Sequence, residues 1–288
     1  MTIAGNRARN AFIIGLPVVW VLLTLIAPMA IMLSHSFFRQ SYPGFKSDFI
    51  LDSYLTILTD PQYLKVILRT LRVAFITAIA ALTVAFPMAY FLVFKVRSPA
   101  LRNLIYFLII LPLWVSYLLR AYVWKAILGE EGILNSFLMY VGIIDHPSGV
   151  FLYNEFAVIL TLTYIFIPFM VMPIYSALEK IPPNLLEAAG DLGISPARTF
   201  LTVTLPLAKP GIAAGLIFTI CLTSGDFVAA TLVGGASNTM VASVIQSQFG
   251  ASLNWPLGSA LSVVMFCFIY ALSALADRIE TRSKARQP

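Results

Sequence analysis

Six apolar stretches, each long enough to cross a lipid bilayer, constrain this chain more than anything else in it. A hydrocarbon core of about 30 Å is crossed by about 20 mainly apolar residues in a helix. Such stretches lie near residues 11–34, 68–94, 104–128, 154–178, 211–235 and 257–276. Only 11% of the residues are charged, far below the roughly 25% of an ordinary soluble domain. The alternation by two that marks a membrane barrel is absent. The sequence therefore predicts an all-α, polytopic membrane protein with six transmembrane helices. The first stretch follows the basic run NRARN as a signal peptide would. Its apolar run is too long for one and shows no clear small-residue cleavage site, so it is expected to be retained.

Positive charge alternates from loop to loop and orients the helices. Arg7 and Arg9 precede the first span; Lys95, Arg97 and Arg102 follow the second; Lys180, Arg198 and Lys209 follow the fourth; Arg278, Arg282, Lys284 and Arg286 close the chain. The loops 129–153 and 236–256 contain no Lys or Arg, and the former carries Glu130, Glu131 and Asp145. Both termini are thus expected in the cytoplasm. The loops are too short to fold separately, so residues 1–288 are read as a single transmembrane domain. The segment SDFILDSYLTILTDPQYLK of the longest outer loop, 35–65, suits short interfacial helices or a plain connector.

Several chemistries are excluded by their missing residues. There is no G-x-x-x-x-G-K-[ST] phosphate loop, no Cys or His pair at metal spacing, and only two histidines, His35 and His146. No catalytic residue, metal site or nucleic-acid surface is expected. Cys221 and Cys267 both fall inside predicted spans and do not form a secreted disulfide framework. Pro17, Pro87, Pro112, Pro168 and Pro173 interrupt apolar runs and are expected to kink them.

Between spans four and five lies a polar island, EAAGDLGISPARTFLTVTLP, residues 187–206, within a cytoplasmic loop 179–210. Pro182 and Pro183 can start a helix, LLEAAGDL can continue it, and Gly193 can end it in a left-handed conformation. Ser195 offers a side-chain cap, Pro196 suits a first helical position, and ARTFLTVT can run on to Pro206. From these residues alone, the island is either a docking knob or a tight turn of helix-compatible residues.

Glu187, Ala188, Ala189, Gly193, Val203, Leu205 and Pro206 resemble the EAA loop of ATP-binding-cassette importer membrane subunits, E-A-A-x3-G-x9-I-x-L-P, with Val203 replacing isoleucine. The resemblance implies a type I importer permease fold in a bacterial inner membrane. It also implies a loop that docks on a separate ATPase: Glu187 would pair with a basic group there, Ala188 and Ala189 would pack in its groove, and Gly193 would make the turn. The implied partners are two ATPase subunits, a second permease (a similar chain or a second copy) and a periplasmic binding protein. ATP and Mg would be used by the ATPase and no cofactor bound by this chain. The stretches LPLWVSYLLRAYVWKAIL, GEEGILNSFL, SGDFVAATLVGG and NWPLGSALS further resemble permeases of spermidine and putrescine uptake systems. A polyamine or related small amine is therefore the expected solute. An amino acid, an opine or another small solute carried by the same machinery remains an alternative, and an ion-gradient-driven transporter a more distant one.

Asp226 is the one acid well inside a predicted span, where an ionisable group costs about 2.5–3.5 kcal/mol and so needs a partner or a purpose. It could attract an ammonium, bond to backbone at a helix break near Ser224 and Gly225, or pair with Arg120. Trp114, Tyr117, Tyr122 and Trp124 suit either a cation pathway or an aromatic belt at the membrane surface. Arg120 and Lys125, like Arg69 and Arg72, are expected to snorkel. The acids of the outer loops, among them Asp48, Asp52 and Asp60, are assigned no site.

Overall fold

The computed structural model describes residues 15–41 and 44–284, with side chains as far as residue 274. Arg7, Arg9, Arg286 and residues 11–14 of the predicted first span lie outside the described residues. In chain order the elements are helix α1 (Gly15–His35), strands β1 (Arg39–Ser41) and β2 (Gly44–Lys46), and helices α2 (Asp52–Thr59), α3 (Pro61–Phe94) and α4 (Pro99–Ile110). They continue as α5 (Tyr117–Leu128), α6 (Ile133–Tyr140), α7 (Glu155–Glu179), α8 (Pro183–Asp191) and α9 (Pro196–Ser224). The last three are α10 (Val228–Val233), α11 (Val241–Phe249) and α12 (Trp255–Lys284). Five of these helices, α1, α3, α7, α9 and α12, are long and apolar enough to cross a membrane. A sixth crossing is made if the bent pair Pro99–Trp114 and Tyr117–Tyr140 counts as one span.

Two predicted spans are therefore not continuous helices. The third turns through 93° between Trp114 and Tyr117. Pro112 sits in a single 3-10 turn, Leu111–Trp114, and Val115 and Ser116 then take extended ψ values of 138° and 133°. The fifth stops at Ser224 and resumes at Val228. Hydropathy averages over such breaks because they are short and apolar residues flank them.

By contact the chain divides into two compact units: residues up to Pro61 with Val244–Cys267, and Gln62–Ser243 with the remainder from Phe268. In the first, the outer loop forms a two-stranded hairpin with Arg39 opposite Lys46, followed by α2. Phe38, Phe45 and Trp255 surround His35 with ring centroids at 5.0, 4.7 and 6.3 Å. Tyr54 donates to Ser36 Oγ at 2.8 Å, and Arg39 pairs with Asp52 at 3.3 Å. The outer loop is thus a built structure with one short helix.

In the second unit, α7 is the centre. Asn154 caps it by accepting from Ala157 N–H at 2.8 Å, and residues recurring around the whole helix, such as Leu162, Ile165, Met170, Ile174 and Leu178, are fully buried. Helix α3 buries one stripe, including Ala74, Ala78, Ala81, Ala85 and Ala89, and exposes Phe75, Ile79 and Phe91. Small residues every three or four positions let helices approach closely where lipid supplies no hydrophobic drive, while the bulky face meets acyl chains. Helix α9 approaches α7 in the same manner. A Cβ added to Gly215 would lie 2.6 Å from Met170 Sδ, and one added to Gly211 would lie 2.6 Å from Ala177 Cβ.

Two widened helical turns share one local cause. The π segments Leu22–Ile26 and Phe200–Thr204 each end two residues before a proline, Pro28 and Pro206. Proline has no N–H for the carbonyl four residues back and its ring crowds that carbonyl, so the preceding turn widens. In both cases the residue four before the proline is a threonine whose hydroxyl bonds back: Thr24 to Trp20 O and Thr202 to Arg198 O, each at 2.7 Å. Helix α9 consequently runs through Pro206 and Pro210 instead of beginning afresh after Pro206.

Gly211→Val is expected to force α9 from α7 and lower stability by about 1–3 kcal/mol, the cost of overpacking. Gly190, with nothing within 4 Å of an added Cβ, is the control. Thermal unfolding of the detergent-purified chain should show a clear drop for Gly211→Val and almost none for Gly190→Ala; equal behaviour would refute the close approach.

Candidate functional site

The break that ends α9 carries Asp226, 6% exposed. Its Oδ1 accepts the Ala229 N–H at 2.9 Å and so caps α10, satisfying one of the donors that a helix start leaves free. Its Oδ2 accepts the Tyr117 hydroxyl, from the first residue of α5. One turn along α5, the Arg120 guanidinium lies 5.7 Å from the centroid of the Tyr117 ring and donates from Nη1 to Ile165 O on α7 at 3.3 Å. The two helix breaks thus meet through a carboxylate, a phenol and a guanidinium. Of the two structural roles open to Asp226, the backbone bond is the one observed. The ion pairs among the described residues do not include Arg120.

Tyr117 and Asp226 are brought together, but Trp114 is not. It is 76% exposed and packs edge-on against Phe107 at 5.4 Å. Tyr122 is also exposed, whereas Trp124 packs against Tyr164 at 5.5 Å. Arg120 does not snorkel: it is 8% exposed, because α5 turns inward after the break and carries this face onto α7. Arg69 and Arg72 likewise find protein partners, the Ser237 carbonyl and the Glu155 carboxylate. Lys125 Nζ lies 5.9 Å from the Tyr153 ring centroid.

The sequence reading passed over the hydroxyls next to Asp226. Thr219, Thr223 and Ser224 are at most 3% exposed, and their hydroxyls make no hydrogen bond among the described residues. Thr219 and Thr223, four apart, share one helix face just before the acid. That i, i+4 spacing ahead of S-G-D was the available signal, hidden because threonine is unremarkable in an apolar helix.

At the other end of α9 is the polar island. Helix α8 begins at Pro183 and closes with two reverse bonds, Ile194 N–H to Ala189 O at 3.0 Å and Gly193 N–H to Gly190 O at 2.9 Å. Gly193 has φ +69°, a left-handed closure that a side chain would strain. Glu187 and Ala188 are exposed, as are Leu185 and Leu192. Ala189 is turned inward at 5% exposure, so of the two alanines only Ala188 is open to a partner. Ser195 does not cap α9 with its side chain; its carbonyl accepts from the Thr199 N–H and hydroxyl instead. Leu205 and Pro206 lie within α9, just past the widened turn.

Removing the Tyr117 donor should leave a buried carboxylate oxygen unmet, at a cost of about 1–3 kcal/mol. In a double-mutant cycle on thermal stability, Tyr117→Phe and Asp226→Asn are expected to couple by about 0.5–3 kcal/mol. Strict additivity would mean that the hydroxyl and carboxylate do not interact.

Comparison with known proteins agrees with this architecture. The chain is 38% identical over 262 residues to the spermidine/putrescine transport system permease protein PotB of Salmonella typhimurium (strain SL1344), covering 90% of this chain and 89% of that one. It is 40% identical over 248 residues to the PotB of Escherichia coli (strain K12), covering 85% and 88%. In fold it matches a solved bacterial ABC transporter involved in the import of the acidic polysaccharide alginate, with TM-score 0.76, 18% identity and 98% of each chain covered. Residues 81–286 match the family model described as binding-protein-dependent transport system inner membrane component, and the chain belongs to that family.

Proposed function

We propose that this permease passes a polyamine, such as spermidine or putrescine, or a related small amine toward the cytoplasm, with Asp226 as the carboxylate that meets the ammonium group. The observation that carries the reading is a buried acid at a helix break, bonded by a tyrosine, in a chain whose relatives of 38–40% identity are named as spermidine/putrescine permeases. The Asp226 carboxylate offers charge, and the hydroxyls of Thr219, Thr223 and Ser224 on the last turns of α9, which make no hydrogen bond among the described residues, offer acceptors for ammonium N–H groups. Tyr117 holds the carboxylate until a cation displaces its hydroxyl. Trp114, exposed, contributes only at the edge of such a route.

A second reading rests on Arg120. A guanidinium one turn from the Tyr117–Asp226 pair would suit a zwitterion, such as an amino acid or opine, by taking its carboxylate while Asp226 takes its amine. Arg120 opposes a polycation by the same charge.

The driving force comes through the other end of α9. Glu187 and Ala188, with Leu185 and Leu192 around them, dock on one of two ATPase subunits, which use ATP and Mg. A second permease subunit completes the passage and a periplasmic binding protein delivers the solute. Both termini lie in the cytoplasm, on the side of the docking loop, and this chain catalyses no reaction. Helix α9 connects docking loop to solute site: it starts at Pro196, ends two residues before Asp226, and at 1.5 Å per residue spans about 40 Å. Left-handed closure at Gly193 makes α8 a stiff handle, so a pull on it is transmitted along α9. Coupling requires that the docking contact persist while the ATPases move, since only contacts that differ between states shift an equilibrium.

Uptake of labelled spermidine and putrescine, in cells lacking other polyamine importers and expressing the full transporter, tests the reading. Asp226→Asn should lower uptake by about tenfold or more, the effect of losing about 1.4 kcal/mol of binding, while ATP hydrolysis still responds to the loaded binding protein. Absence of uptake by the assembled wild-type complex would discard the polyamine.

Glu187→Arg separates the second half of the proposal. It should abolish uptake and the ATPase response together, although the chain still reaches the membrane. Normal uptake by this variant would show that Glu187 makes no essential docking contact.

A further inference from the structure

Beside the break in the third span lies a cavity of about 380 Å³, and next to it one of about 300 Å³. Leu108, Pro112 and Tyr164 line both, so the two form one cleft between α4, the break, α5 and α7. Its lining is almost wholly apolar along the length contributed by residues such as Ile167, and it ends on Arg120 beside Trp124. Arg120 is more than nine-tenths buried, donates only to the neutral Ile165 carbonyl, and leaves its Nε–H without a hydrogen-bond partner among the described residues. A guanidinium in a low-dielectric site is costly unless an anion meets it. The Asp226 carboxylate is taken up by the Tyr117 hydroxyl, from the helix that carries Arg120, and by the Ala229 N–H.

An apolar cleft that ends on a guanidinium with no ion-pair partner among the described residues selects an amphiphile with a negative head and a hydrocarbon tail. Charge excludes an amine here, and a purely apolar occupant would leave the guanidinium with only the Ile165 carbonyl and the Tyr117 ring. We infer that the cleft is a binding site for an anionic phospholipid, one acyl chain lying along Leu108, Pro112 and Tyr164 and the phosphate resting on Arg120. Arginine's planar fork of N–H groups matches phosphate oxygens. The lipid fills the volume that the 93° turn opens between α4 and α7 and neutralises the charge next to the Asp226 site. The inference needs only the cleft and the bilayer; it is compatible with the amine reading and competes with the zwitterion reading, in which Arg120 takes the solute's carboxylate.

The test uses the assembled transporter, purified in mild detergent after equilibration in nanodiscs of phosphatidylethanolamine and phosphatidylglycerol, with retained lipid read by native mass spectrometry. Wild type should keep phosphatidylglycerol in preference to phosphatidylethanolamine, about one per copy of this chain. Arg120→Gln should cut that retention by about tenfold, equivalent to about 1.4 kcal/mol, and Arg120→Lys should restore part of it. Because Arg120→Gln also disturbs the contact with Ile165, Val123→Trp, which fills the cleft with Arg120 intact, is the second variant. Equal retention by Val123→Trp and wild type, or equal retention of the two lipids by wild type, would overturn the site. So would efficient photo-cross-linking to the partner permease from a benzoylphenylalanine placed at position 123, which would show that protein covers the cleft.

Discussion

A bilayer offers no water to a broken helix, and the rest of this structure depends on how the chain meets that demand. Two spans break inside their apolar runs, after Trp114 and after Ser224. Each break frees backbone donors and acceptors that lipid cannot satisfy. Asp226 supplies the acceptor for the restarted helix, Tyr117 occupies the remaining carboxylate oxygen, and Arg120 reaches a carbonyl of α7 in the turn before Pro168. The polar residues of the spans therefore meet the backbone groups that the breaks set free.

Close packing makes the arrangement stiff. Gly211 and Gly215 let α9 lie against Ala177 and Met170 of α7, and the alanine stripe of α3 serves the same purpose on its own buried face. The departures from α geometry are local and chemically specified: the π turns before Pro28 and Pro206, in each of which a threonine hydroxyl donates to the carbonyl four residues before it. Helix α9 thus combines a long α-helical stretch with one widened turn near its start. In the lever proposed for it, compliance belongs there, beside the handle, while the far end stays packed.

Much of this was legible from residue order. Hydrophobic runs locate spans because the cost of burying polar side chains in hydrocarbon is large and local. The end of α8 at Gly193 and the start of α9 at Pro196 follow from backbone chemistry that reads the same in any context. The inward turn of Ala189 was not legible, since two adjacent alanines are equivalent until the helix docks. Nor was the burial of Arg120: an arginine near a presumed membrane surface reads as snorkelling until the span is seen to bend and carry it onto α7. The partners of Arg69 and Arg72, the Ser237 carbonyl and Glu155 at the start of α7, are remote in sequence and were hidden for the same reason.

By itself, then, the sequence determined the membrane class, the approximate spans, the family pattern of the loop from Glu187 to Pro206, and the presence of one acid where acids are costly. Those properties depend on composition and on spacings within one helix or turn. Only the tertiary structure decided that Asp226 caps a helix and is held by Tyr117, that Arg120 is buried at the end of an apolar cleft, and that Trp114 stands apart. These depend on which way each helix turns after its break, and that direction is set by packing among helices far apart in the chain.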